Sequence, residues 1–125
     1  MYKSVSLVEY QLYHRKCDLL LQETEIRFAG FLDPMGNLIA GGFKEGVTPL
    51  DKDSERLKLH METVLRVKTE QDFDYDLGTV EYSASRRKKV ITFTFAFDDK
   101  VLFVSTETNV EIEKTAQKIM KICSI

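Results

Sequence analysis

Between Ser4 and Glu23 the apolar residues recur at helical spacing in two stripes, Val5, Val8, Leu12 and Leu19 on one and Tyr10, Tyr13, Cys17 and Leu21 on the other. That period predicts a first helix. The pattern then changes to the two-residue period of a strand, with Ile26, Phe28, Gly30 and Leu32 on one side and Ala29 and Phe31 on the other. A strand apolar on both faces belongs in the middle of a sheet. Asp33-Pro34-Met35-Gly36 follows, with Asp suited to the first position of a type I turn, Pro to the second and Gly to the left-handed position of a hairpin bulge. The chain is expected to return as a second strand from Asn37 to Phe43.

Asp51 or Asp53 is placed to cap a second helix reaching about Thr69. On it Leu57, Met61, Val64, Leu65 and Val67 cover an arc of about 160°, with Leu59 outside. The arc is broad for a helix resting on one sheet face, which is consistent either with deep burial or with a second protein covering the surplus. Beyond a loop from Gln71 to Gly78, Thr79 to Ser83 is expected to form a third strand. Ile91, Phe93, Phe95 and Phe97 alternate with Thr92, Thr94 and Ala96, the clearest strand signal in the chain. Asp98-Asp99 turns into a fifth strand, Lys100 to Thr106, and a last helix from Val110 to Ser124 carries the stripe Ile112, Ala116, Ile119 and Cys123. The predicted order is α-β-β-α-β-β-β-α.

Composition narrows the function. With 125 residues, 43% apolar and 30% charged, the chain reads as one soluble domain over residues 1–125. Its first ten residues lack the apolar stretch of a secretory signal, so a cytoplasmic location without membrane insertion is expected. A net charge of -2 gives no general attraction to nucleic acid or anionic membranes.

Five of the six glycines lie between Gly30 and Gly46, which raises the question of a phosphate cradle. Gly41 and Gly46 have P-loop spacing, but Val47-Thr48 stand where Lys-Ser/Thr is required, and no G-x-G-x-x-G occurs. The glycines read as hairpin and loop, and no cofactor is indicated. Asp72, Asp74 and Asp76 imitate a calcium loop, yet Leu77 and Ser83 replace its glycine and its closing glutamate. Cys17 and Cys123 read as buried thiols, and His14 and His60 stand on different predicted helices without metal spacing. His60 reads as a packed histidine. No nucleophile motif is present, so no enzyme is expected. The run Arg86-Arg87-Lys88-Lys89 forms a local positive field suited to an anion or an acidic partner, or simply to solvent.

The element order, the segment from Gly30 through Asp33, Gly36 and Ala40 to Gly41, and the final strand-helix pair resemble the roadblock family of dynein light-chain-like proteins. The segments IRFAGFLDPMGNLIAGG, DFDYDLGTVEYSASRRKKVI and DKVLFVSTE are similar to small proteins known from ammonia-oxidising archaea. The resemblance implies an α+β fold of three α/β/α layers, roadblock- or profilin-like. Its five-stranded antiparallel sheet would carry the second helix on one face and the first and last helices on the other. It also implies a non-catalytic homodimer, or a pair with a related chain, that scaffolds complexes or recruits a small GTPase. On this sequence the dimer would join Thr79, Val80, Glu81, Tyr82 and Ser83 edge to edge and pack Leu59, Met61, Thr63 and Val67 against their mates. Two other functions compete: a small-ligand sensor of PAS-like or profilin-like type, against which Phe93, Phe95 and Phe97 argue by filling the core, and, ranked below it, an anion or nucleic-acid binder using Arg86, Arg87, Lys88 and Lys89.

Overall fold

The computed structural model describes residues 5–125, and Ser4, the expected start of the first helix, lies outside them. Helix α1 runs over Leu7–Leu21. It is started by a capping box, in which the Glu9 backbone N–H donates to Ser6 Oγ at 3.1 Å and the Ser6 N–H to Glu9 Oε1 at 3.4 Å, a cap worth about 1 kcal/mol. Strands β1 (Ile26–Leu32) and β2 (Leu38–Phe43) form the expected hairpin. Helix α2 spans Asp53–Gln71, a short helical turn α3 spans Asp74–Leu77, and β3 (Ser83–Arg86), β4 (Ile91–Phe97), β5 (Lys100–Thr106) and α4 (Ile112–Cys123) complete the chain.

The five strands make one antiparallel sheet in the order β2-β1-β5-β4-β3. Every residue of β5 is buried, as its central place requires. One face carries α1 and α4, where Tyr13, Cys17, Leu20, Ala116, Ile119 and Cys123 meet Ala29, Phe31, Phe93, Phe95, Leu102 and Val104. The other carries α2, where Val64 and Val67 meet Phe28, Leu32, Val101 and Phe103. The three layers and their order are those the pattern and the resemblance implied.

The turn between β1 and β2 shows how the glycines are used. Gly36 N–H donates to Asp33 O at 2.9 Å and Asp33 N–H to Asn37 O at 2.9 Å, while Asp33 Oδ1 accepts from the backbone of Met35 and Asn37 at 2.9 Å each. Gly36 holds φ +86° against Met61, leaving no room for a Cβ.

Four local expectations require correction. Ile26 lies on the α1/α4 face rather than beside Phe28, because β1 bulges against β5 between Ile26 and Phe28 and reverses the alternation there. Asp51 and Asp53 do not cap α2: the cap position is Lys52, and both carboxylates take the Arg56 guanidinium, at 3.2 Å and 2.8 Å. On α1 the buried residues are Tyr13, Cys17 and Leu20, leaving Val8, Leu12 and Leu19 exposed.

The fourth correction concerns β3, which begins at Ser83 instead of ending there, while Thr79, Val80, Glu81 and Tyr82 precede the strand in irregular conformation. Arg87 N–H donates to Val90 O at 2.9 Å, closing a hairpin whose loop is only Lys88-Lys89. A two-residue loop sets the register, pairing Arg86 with Ile91 and Ser83 with Thr94. Arg86 therefore belongs to the strand, and its guanidinium donates to the carbonyls of Thr108 and Val110 at 3.2 and 3.4 Å.

Candidate functional site

The strict alternation of β4 has a consequence on the α2 side. Its phenylalanines all go to the α1/α4 core, so Thr92, Thr94 and Ala96 face the other way. Helix α2 rests its apolar residues on β1 and β5. Small side chains on β4 and β3 then leave an open groove of about 470 Å³ between α2 and the β3–β4 hairpin. The expectation of a filled core holds for one face of the sheet only.

The groove has an apolar floor and a cationic wall. Phe28, Phe43, Leu59, Val90 and Phe103 supply the floor. Arg27, Arg56, Arg66, Arg87, Lys88 and Lys89 line it, with Asp51 as the lone carboxylate among the described residues, in a chain whose net charge is -2. The bulge at the start of β1 turns Arg27 as well as Phe28 toward this side. Two of the cations are engaged. Arg27 donates to Thr48 O at 3.0 Å and pairs with Glu107 at 3.4 Å; Arg56 holds Asp51 and Asp53 and lies 4.8 Å from the Phe43 ring centre. Arg66, Arg87, Lys88 and Lys89 have no side-chain partner among the described residues. Of the four basic residues singled out by sequence, three thus reach the groove, while Arg86 is used in pinning β3 to the loop before α4.

His60 lines the same groove, 4% exposed, with its ring 5.7 Å from Phe28 and 5.6 Å from Phe103. Burial pushes its pKa below the ordinary value, so the imidazole is neutral at pH 7. No hydrogen bond joins it to the groove hydroxyls of Ser85, Thr92 or Ser105 among the described residues. The arrangement places cationic side chains over an apolar floor.

A second surface lies on the outer side of α2. Thr63 and Val67 are buried against the chain's own sheet, and Leu59 is half-buried there. Met61 is exposed, and Leu57 and Leu65, one turn to either side, are exposed with it. Phe73, Tyr75, Leu77 and Val80, on the stretch leading into β3, are exposed as well. The outer edge of β3 has no strand partner among the described residues. Asp74 and Asp76 sit in the turn α3, and among the described residues no cluster of His, Cys, Asp or Glu is suited to a metal ion. Burial raises the thiols of Cys17 and Cys123 to about 12 and about 11, as expected for packed cysteines. No helix among the described residues is long and apolar enough to cross a membrane.

No curated protein matches the chain in sequence. Among solved structures it is similar to MglB of Myxococcus xanthus, with TM-score 0.70 and 16% identity over 99% of this chain and 88% of that one. The gliding protein MglB of Thermus thermophilus gives TM-score 0.65 and 13% identity over 99% and 94%. A roadblock/LC7 domain of Streptomyces avermitilis gives 0.66 and 10% over 89% and 91%. These likenesses show the fold, an open antiparallel sheet between helices as in roadblock/LC7 domains. At the level of sequence, a family of unknown function (DUF6659) matches residues 5–124, and this roadblock-fold chain belongs to that family.

Proposed function

We propose that the protein is a non-catalytic interaction module that works as a homodimer and recruits a small GTPase-like partner. The observation that carries the dimer is the edge of β3, which has no strand partner among the described residues, and the stripe Leu57, Met61 and Leu65 on α2 is a second uncovered surface. An exposed strand edge and an exposed apolar patch are each a liability unless something covers them. A second copy of the chain satisfies that edge, because a two-fold axis through β3 pairs it with itself. A roadblock-fold relative, MglB, has been solved in a tetrameric arrangement, with TM-score 0.60 and 13% identity over 99% of this chain and 93% of that one. The pairing segment on this reading is Ser83–Arg86 with Val80 flanking it, and α2 contributes Met61 with Leu57 and Leu65. Leu59, Thr63 and Val67 support the helix from beneath. The partner class rests on the roadblock likeness, and recruitment presupposes the dimer.

Oxidative cross-linking tests the pairing directly. Single cysteines are introduced in turn as Ser83→Cys, Ala84→Cys and Ser85→Cys, while the native thiols stay buried and unreactive. At least one variant is expected to give a disulfide-linked dimer, lost when Met61→Glu is added. Failure of all three to cross-link would remove β3 from the interface.

A further inference from the structure

We propose that the groove between α2 and the β3–β4 hairpin binds a small organic phosphate, an anion of two or more charges carried on an apolar or aromatic body of mononucleotide size. The groove shares Ser85 with the β3 segment assigned to dimer pairing but not the exposed α2 stripe, since Leu57, Met61 and Leu65 do not line it.

Three observations converge on that chemistry. The first is charge. Arg66, Arg87, Lys88 and Lys89 converge on one groove without a partner among the described residues, although the chain carries 20 acidic residues against 18 basic ones. Like charges held together repel one another, and an anion between them relieves the repulsion while gaining charge-assisted hydrogen bonds. Guanidinium forks from two sides, Arg66 on α2 and Arg87 on the β3–β4 hairpin, suit phosphoryl oxygens in particular.

The second is shape. About 470 Å³ falls within the range of small-molecule sites. The third is the floor. Phe43, Leu59, Val90 and the edges of Phe28 and Phe103 offer apolar contact that inorganic phosphate would not use, while Ser85, Thr92 and Ser105 supply hydroxyls at the boundary. The basic hairpin is held in place for this role. Its loop has only two residues, its register is fixed on β4, and Arg86 anchors the strand from the opposite face.

The test uses ADP as the probe, followed by amide chemical shifts of the full chain, with adenosine and pyrophosphate as the two halves of the ligand. ADP is expected to shift Arg66 and Arg87 to Val90 saturably, and to weaken at least tenfold, about one decade, between low and moderate salt. Pyrophosphate is expected to bind more weakly at the same residues, and adenosine not to saturate. The triple variant Arg87→Gln/Lys88→Gln/Lys89→Gln, on exposed positions that leave the core untouched, is expected to lose ADP binding by about tenfold or more. Absence of a saturable ADP response up to about 5 mM, or an unchanged response in the triple variant, would overturn the proposal. Pyrophosphate binding as tightly as ADP would remove the organic body from it. The mass in solution is measured on the same samples, because Ser85 of β3 lines the groove, so a change of oligomeric state is told apart from a loss of ADP binding.

Discussion

His60 fills the space between α2 and the sheet with a ring that packs against Phe28 and Phe103, and its burial has a consequence for pH dependence. Desolvation is the largest cause of its lowered pKa, opposed by Asp51 and reinforced by Arg56. The unfolded chain therefore takes up a proton near the ordinary histidine value of about 6.5 while the folded chain still refuses it. Stability is lost as pH falls through that value and levels off once the folded form also titrates. Carboxylates ordinarily titrate near about 4, below this window. Urea denaturation at pH 7.5 and pH 5.5 is expected to show a lower midpoint at the acidic end for the native chain, and a smaller drop for His60→Phe. Equal drops in the two proteins would mean that His60 is not the group responsible. Nothing in the primary pattern marked this residue beyond its position at the edge of the apolar arc, and that much was enough to identify it as a packing histidine.

At the scale of elements, the β1–β2 turn shows how one position couples a hairpin to a helix. Gly36 holds φ +86°, and a Cβ there would lie 2.8 Å from Met61 Cγ and 2.9 Å from the Met61 backbone. Gly46 holds φ +84° with nothing within 4 Å of the corresponding position. Gly46→Ala is thus expected to cost only the backbone penalty, about 1 kcal/mol. Gly36→Ala adds displacement of α2 and is expected to cost about 2–4 kcal/mol by chemical denaturation. Equal costs would contradict a tight seat between turn and helix. The turn itself was legible because Asp, Pro and Gly each have a local conformational reason for their place. The β1 bulge and the start of β3 were not, because register is decided between strands. No period within Thr79 to Arg86 distinguishes a strand ending at Ser83 from one starting there; the two-residue loop Lys88-Lys89 decides it, through pairing with β4. The groove was hidden for a related reason. The phenylalanine alternation of β4 announced a packed face, and the space lies on the reverse of the same strand.

For the whole molecule, the open question is what covers the outer face of α2. The broad apolar arc was visible in the sequence, but its division was not: Val64 and Val67 turn inward to the sheet, and Leu57, Met61 and Leu65 turn outward. A helix that divides its apolar residues in this way satisfies the chain's own core and leaves a second stripe for another surface. The most direct test is the absolute mass in solution, by size-exclusion chromatography with light scattering, of the native chain and of Met61→Glu. The native protein is expected at twice the 14.5 kDa of one chain and the variant at a single-chain mass. A native protein that remains at 14.5 kDa at high concentration would contradict the dimer.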